Sequence, residues 1–346
     1  MKTTLSATLP VDWVRGAPVI GVDVEAYLTG VRIDHFLSRQ LRNYTTFRIQ
    51  RMVRSGQVLI EGEPATQRCR VFRGQHVQIR LIDPPDKLIQ PEPVDFAIIH
   101  QDRWITVVNK PADLVVHPVG PFDRGTLAHG VQHYLDSQTG VKGLLRPGIV
   151  HRLDRMTSGA LVLCQHHLSH RELSIHFQDG RVSKTYLALV EGHLADGTGI
   201  VDLPIGRRPR GESILMSCLG DARDRKPAKT RWEVVERFAQ ATLVRLHPYS
   251  GRLHQIRVHM AHLGHPVVGD EYYGPFGQIR RQSAATPGGS SMINSHPDWL
   301  PDGLLTAGRH LLHAERLCFA HPIDRDWVEF DAPLAADFQA ILDSLK

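Results

Sequence analysis

The sequence predicts an α+β protein: a mixed, largely antiparallel sheet with flanking helices, preceded by a small α/β module. Three observations lead there. Apolar runs of strand length are interspersed with helical periodicity, without the regular strand–helix–strand beat of a doubly wound parallel sheet. Residues 1–83 hold the basic excess, twelve Lys and Arg against seven Asp and Glu, and the remainder is balanced. Between these parts Asp83 to Pro93 (DPPDKLIQPEP) is a proline-rich connector, in which each Pro removes a donor and stiffens the chain.

At 346 residues the chain is long enough for two or three domains. The division expected is a lead-in over 1–25, a basic module over 26–83, a linker over 84–93 and a larger domain over 94–346. Residues 1–20 lack clear periodicity. Ile33, Phe36, Leu37 and Leu41 then recur at helical spacing, and Ile49, Met52 and Val53 do so again after Tyr44-Thr45-Thr46, where the Thr pair suits an N-cap. Arg39, Arg42, Arg48, Arg51 and Arg54 fall on these two helices with no acid among them. Gly56 stops the second helix, Val58-Leu59-Ile60 enters a hairpin at Glu61-Gly62, and Val77 to Leu81 is a further strand.

In the larger part, Ile105–Val108 and Leu114–Val116 read as strand–turn–strand around Asn109-Lys110-Pro111. Gly159–Cys164, Val182–Val190, Thr230–Val235, Ala241–Leu246 and Trp327–Phe330 read as strands, and Leu168–Phe177 as a helix. Ser250 can cap a helix whose stripe is Leu253, Ile256, Met260 and Leu263, with Gly264 stopping it; His254 and Arg257 then lie one turn apart. Residues 275–303, containing Thr286-Pro287-Gly288-Gly289-Ser290-Ser291, read as a long flexible insertion. Pro333 suits the opening of a terminal helix with Leu334, Phe338 and Ile341 in its stripe.

Composition narrows the function classes. Arginine outnumbers lysine 33 to 8, which suits bidentate contact with phosphate and makes nucleic acid the expected polyanionic partner. The four cysteines are far apart with no CxxC, so neither a disulfide framework nor a zinc knuckle is suggested. No apolar run reaches membrane length and the N-terminal stretch lacks a signal-peptide layout, so a cytoplasmic protein without membrane partners is expected. There is no phosphate-binding G-x-x-x-x-G-K-[ST] and no dinucleotide fingerprint. His254, His259, His262 and His265 show no strong ligand spacing; no metal is expected, and they read as hydrogen-bonded helix or loop residues. Nothing points to an obligate protein partner, and a monomer is expected.

The densest chemistry lies in Gly148–Cys164 (GIVHRLDRMTSGALVLC). His151, Arg152, Asp154 and Arg155 cluster where the chain turns between two apolar runs, and a carboxylate between two arginines stays ionised. Further on, Lys184-Thr185-Tyr186 sits on an expected strand, where Lys184, Tyr186 and Ala188 share one side.

Two resemblances follow. Arg54-Ser55-Gly56-Gln57-Val58-Leu59-Ile60-Glu61-Gly62, after a short helical pair, resembles the signature hairpin of the S4 RNA-binding domain. His151-Arg152-Leu153-Asp154, Lys184-Thr185-Tyr186, Gly251-Arg252-Leu253-His254-Gln255-Ile256-Arg257 and Leu312-His313-Ala314 stand in the order found in the RluA-type pseudouridine synthases. With Asn109-Lys110-Pro111 upstream, Gly269-Asp270 downstream and the S4-like module in front, the chain resembles the large-ribosomal-RNA branch of that family.

The resemblance implies an isomerisation in RNA: the uracil N1–C1′ bond breaks, the base turns, and a C5–C1′ bond forms. It implies that Asp154 is the single catalytic carboxylate, attacking carbon or removing the 2′ proton, and that Arg257 forms an ion pair with it. Tyr186 would stack on the flipped base and assist proton removal from C5. Leu312 would pack against the base, and Arg152 would fill the gap left in the RNA, with His151 and Lys184 also counted on the substrate side. Arg39, Arg42, Arg48, Arg51 and Arg54 would contact RNA. No cofactor is implied, since uridine supplies every reacting atom. A transfer-RNA target and a non-catalytic RNA-binding or ribosome-assembly protein are the alternatives. A nucleoside hydrolase would need an Asp cluster that this sequence lacks.

Overall fold

In the computed structural model, residues 11–14, 17–82, 88–209, 215–280 and 309–346 are described. Most of the insertion expected at 275–303, and residues 83–87 of the connector, lie outside them.

A ten-stranded sheet organises the larger part. Along it lie Thr198–Asp202, Lys229–Arg237, Ala241–Pro248, Ser183–Glu191, Leu312–Ala320, Ser158–Cys164, Ile105–Lys110 and Ala97–Gln101. Gly148–Ile149 adds to Ser158–Cys164, and Trp327–Asp331 adds to Leu312–Ala320. Among the described residues only Ser158–Cys164 and Leu312–Ala320 pair in parallel, so the sheet is largely antiparallel as expected.

Strand Ser158–Cys164 is buried along its whole length, as the run GALVLC requires when both faces are covered. Leu161 and Leu163 pack with Leu127, Val131 and Leu135 on one face. Ala160, Val162 and Cys164 pack with Leu173 on the other. Gly159 makes the parallel pairing possible: its φ is +116°, and a Cβ there would sit 2.2 Å from the Ala314 carbonyl oxygen.

Among the described residues six α-helices flank the sheets: α1 (Ile33–Gln40), α2 (Thr46–Arg54), α3 (Leu127–Thr139), α4 (His167–Gln178), α5 (Gln255–His262) and α6 (Ala336–Ser344). In the N-terminal part, α1 and α2 pack on a sheet ordered Val11–Val14, Ala17–Asp23, His76–Arg80, Val58–Ile60, Glu63–Pro64. The Thr45 hydroxyl accepts from the Arg48 N–H at 3.3 Å, capping α2. At its other end Gly56 has φ +72° and the Gln57 N–H donates to the Met52 carbonyl, the expected stop. This part is docked firmly. Asn43 Nδ2 donates to the carbonyls of Gly143 and Leu145 at 3.1 and 3.2 Å, and Phe36 and Leu37 share an apolar cluster with Leu127 and Val131. No helix among the described residues is long and apolar enough to cross a membrane.

Three local expectations change. The segment read as a lead-in over 1–25 carries strand Ala17–Asp23, paired with His76–Arg80, and buries Ile20, Val22 and Val24 in alternation. Leu114–Val116 is no strand: the carbonyls of Val115 and Val116 accept the Leu127 and Ala128 N–H groups, supplying the first turn of α3 from outside. And α6 begins beyond Pro333, whose carbonyl accepts from Asn109 Nδ2 instead.

Candidate active site

Asp154 lies in the turn between strands Gly148–Ile149 and Ser158–Cys164, where the Thr157 N–H closes back on the Asp154 carbonyl at 3.1 Å. One cavity is lined by Arg152 and Asp154 from this turn, Lys184 and Tyr186 from strand Ser183–Glu191, Arg257 from α5 and Leu312 from strand Leu312–Ala320, which lies between Ser183–Glu191 and Ser158–Cys164. Residues far apart in sequence therefore converge on one hollow.

The partner of Asp154 is remote. The flanking Arg155 is not that partner: it turns away to Asp113 at 2.6 Å and lies over the Phe122 ring. Arg257 takes the role: Nη1 donates to Asp154 Oδ2 at 3.1 Å, while Nε and Nη2 grip Asp270 at 2.6 and 2.8 Å. Asp270 is fully buried and also accepts the Tyr272 and Tyr273 N–H groups, so its carboxylate is fixed from two sides. Burial alone would push the Asp154 carboxyl up; the charges of protonated His254 and of Arg257 outweigh it and hold the group well below the usual carboxylate range. Near neutral pH His254 is uncharged, because burial pushes it down to about 4. Arg257 then supplies the holding charge.

The start of α5 departs from expectation. Ser250 does not cap it; its hydroxyl donates to Gln255 Oε1 at 2.7 Å. The cap position is His254, in the left-handed region at φ +54°, a conformation costing on the order of 1 kcal/mol for a residue with a side chain. This strain turns His254 toward Asp154, with Nε2 3.9 Å from Oδ2.

Lys110 holds the Asp154 turn from beneath. Its ammonium is fully buried and donates to the carbonyls of Pro111, Leu114 and Arg155 at 2.7, 2.9 and 3.0 Å. Burial pushes the amine down to about 7, yet three carbonyls for three N–H groups is the arrangement an ammonium fills.

Tyr186 is half-buried between two apolar clusters, beside a register shift against strand Leu312–Ala320. Burial, then the Asp154 charge, pushes its phenol up, so it stays protonated near neutral pH. Lys184 is on the same side, as strand alternation requires; it donates to the Ser250 carbonyl at 3.2 Å and burial lowers it to about 8. His151 is not in the cavity. Its Nε2 accepts the Val162 N–H at 3.0 Å and its ring stacks on Phe177 at 4.4 Å, so it braces the turn instead of facing a ligand. His259 and His265 are hydrogen-bonded within the fold, to Leu203 and Thr230 and to the Glu191 carbonyl.

On the N-terminal part, Arg39, Arg51 and Arg54 are exposed and Arg48 partly so. Arg42 lies on neither helix; it sits in the turn between them, its Nη1 buried without a hydrogen-bond partner. Phe47 stands on α2 in the same neighbourhood, 70% exposed. Of these groups the sequence assigned no site role to His254, Asp270, Lys110 or Phe47, though the first three stand in the motifs Gly251–Arg257, Gly269-Asp270 and Asn109-Lys110-Pro111.

A family model for RNA pseudouridylate synthase matches residues 105–262. The chain is 33% identical over 315 residues to an uncharacterized RNA pseudouridine synthase of Bacillus subtilis, covering 91% of this chain and 94% of that protein. It is 33% identical over 326 residues to ribosomal large subunit pseudouridine synthase D of Haemophilus ducreyi, covering 94% of each. Among solved structures, human RNA pseudouridylate synthase domain containing 4 aligns with TM-score 0.55 at 25% identity, covering 72% of this chain and 92% of that one.

Proposed function

This chain belongs to the RNA pseudouridylate synthase family, converting uridine to pseudouridine in RNA, and we propose that it acts on uridines of large-subunit ribosomal RNA with Asp154 as its catalytic carboxylate. The RNA class rests on the relative of Haemophilus ducreyi named for the large ribosomal subunit. The assignment of Asp154 rests on one observation: Asp154, Tyr186 and Arg257 line a single cavity, with the carboxylate bonded to the guanidinium.

An ionised carboxylate is needed whether the first step is attack on carbon or removal of the 2′ proton, and Arg257 keeps Asp154 in that form. Flipping a uridine out of folded RNA costs a few kcal/mol. Tyr186 and Leu312 offer a stacking and packing surface that offsets it, and Arg152, exposed at the cavity mouth, is placed to fill the space the base vacates. Lys184 contributes positive charge beside the base. The Tyr186 phenol, being protonated, assists proton removal from C5 only by passing on its own proton as it accepts another. Residues 26–83 act as an S4-like RNA-binding module, through Arg39, Arg48, Arg51 and Arg54, with Arg42 at its junction with the catalytic domain. The enzyme is proposed to work as a monomer in the cytoplasm.

The test is release of tritium from RNA carrying 5-tritiated uridine. Wild-type protein is expected to release it from ribosomal RNA of a strain lacking this gene, and Asp154→Asn to release none. Undiminished release by Asp154→Asn removes the carboxylate from the mechanism. Release from transfer RNA alone overturns the ribosomal assignment.

A further inference from the structure

We propose that Tyr273 locks His254 as its Nε2–H tautomer, so that His254 is a second, neutral donor aimed at Asp154 Oδ2 and Oδ1 is left as the reacting oxygen. The inference rests on the reading of Asp154 as the catalytic carboxylate and extends it to one atom and two positioning residues.

Each link follows from donor and acceptor counting. The Met216 N–H donates to the Tyr273 hydroxyl oxygen at 3.0 Å, so that oxygen is already an acceptor. Tyr273 is 2% exposed, and its own proton must find an acceptor or be buried unpaired. Among the described residues the acceptor within reach is His254 Nδ1, at 2.7 Å. Tyr273 therefore donates, Nδ1 accepts, and the ring proton of neutral His254 sits on Nε2.

The other face of the ring agrees. Nε2 lies 3.9 Å from Asp154 Oδ2, and an N–H there meets a carboxylate, whereas a lone pair would face negative charge. Burial keeps the ring uncharged near neutral pH. At 3.9 Å this is not yet a hydrogen bond. Contacts of this type commonly tighten when substrate closes a site. The left-handed backbone of His254 is the feature that points the ring this way. Arg257 Nη1 also addresses Oδ2, at 3.1 Å. Both donors thus converge on one oxygen, and among the described residues Oδ1 accepts no hydrogen bond.

The experiment reads tautomer and turnover separately. In 15N spectra of the full-length protein labelled at histidine, His254 is expected to show a protonated Nε2 and a bare Nδ1. Tyr273→Phe removes the locking proton and is expected to give a mixture of tautomers. His254→Asn tolerates the left-handed backbone and keeps the fold, but its shorter side chain does not reach Asp154. Both variants are expected to lower kcat for tritium release about ten- to hundredfold with KM unchanged within twofold, the loss of one donor to a charged group. A protonated Nδ1 in the wild type, or an unchanged tautomer in Tyr273→Phe, overturns the proposal. So does a normal kcat in His254→Asn. The spectra need no turnover, so failure of the Asp154 assignment shows only in Asp154→Asn and is told apart from failure here.

Discussion

Arg257 donates to Asp154 from 103 residues further along the chain, while its remaining guanidinium nitrogens bind Asp270. The fork geometry explains why an arginine stands here: a lysine ammonium cannot hold one carboxylate at two points and aim a third N–H at another. Asp270→Asn keeps the size but removes the charge that fixes Arg257. It is expected to destabilise the protein by about 3 kcal/mol, the scale for breaking a buried ion pair. Tritium release should fall with it. Denaturant titration and single-turnover release check this together, and unchanged stability would mean that Asp270 does not anchor the pair.

Lys110→Met replaces the buried ammonium with an apolar chain of similar length and strands three carbonyls. Each unsatisfied acceptor costs about 1–3 kcal/mol, so a loss of several kcal/mol or outright misfolding is expected. The proteolysis pattern provides a finer reading. Cleavage should appear first near residues 111–116 and 151–157, the two loops that Lys110 ties together. A variant cut elsewhere first would deny the lysine that local role.

Much of this arrangement could be read in the chain, and the limits have physical causes. Helices α1, α2 and α4 and the strands around Ser158–Cys164 and Ser183–Glu191 were visible because hydrophobic period and burial coincide there. Ala17–Asp23 was missed because apolar Val19 beside Ile20, and Gly21 in place of a polar residue between Ile20 and Val22, blur the alternation of its inward residues. The turn at His151–Arg155 exposed the candidate acid, and the motif order pointed to Arg257 as its partner; local charge did not, because that Arg155 goes to Asp113 while Arg257 reaches Asp154 is a property of topology. His151 looked functional from its company in the motif, yet its imidazole satisfies the Val162 N–H. His254 was legible as a hydrogen-bonded helix or loop residue but not as a neighbour of Asp154, because nothing in a sequence marks a left-handed histidine.

Acid should unfold this protein early. Burial holds His151, His166, His167, His254 and His310 down, at about 3, 4, 3, 4 and 3. In the unfolded chain such groups titrate near 6.5, so the unfolded state binds more protons between these limits and stability falls as pH drops through that window. Asp154 and Asp270 act in the same direction lower down. Their depressed values give stability that is present above about 4 and lost below it. Denaturation midpoints measured from pH 7.5 to 4.5 are expected to decline continuously from about 6.5 downward. A flat profile to pH 5 would contradict the buried, neutral state of these rings.

The exposed face of α2 separates binding from chemistry. Phe47 is 70% exposed, and Arg51 and Arg54 are exposed on the same helix, so an aromatic ring stands among guanidinium groups as on single-stranded nucleic-acid surfaces. Phe47→Ala is expected to weaken RNA binding by about 1–3 kcal/mol if the ring stacks on a base. Arg51→Gln and Arg54→Gln should each reduce the slope of log affinity against log salt by roughly one, the signature of one phosphate contact apiece. None of the three touches the cavity lined by Asp154 and Tyr186, so tritium release at saturating RNA should keep its wild-type kcat. Filter binding across a salt series, paired with saturation kinetics, distinguishes the cases: an unchanged salt slope in both arginine variants would move the RNA contact off this helix, and a fall in kcat would couple the module to the chemistry itself.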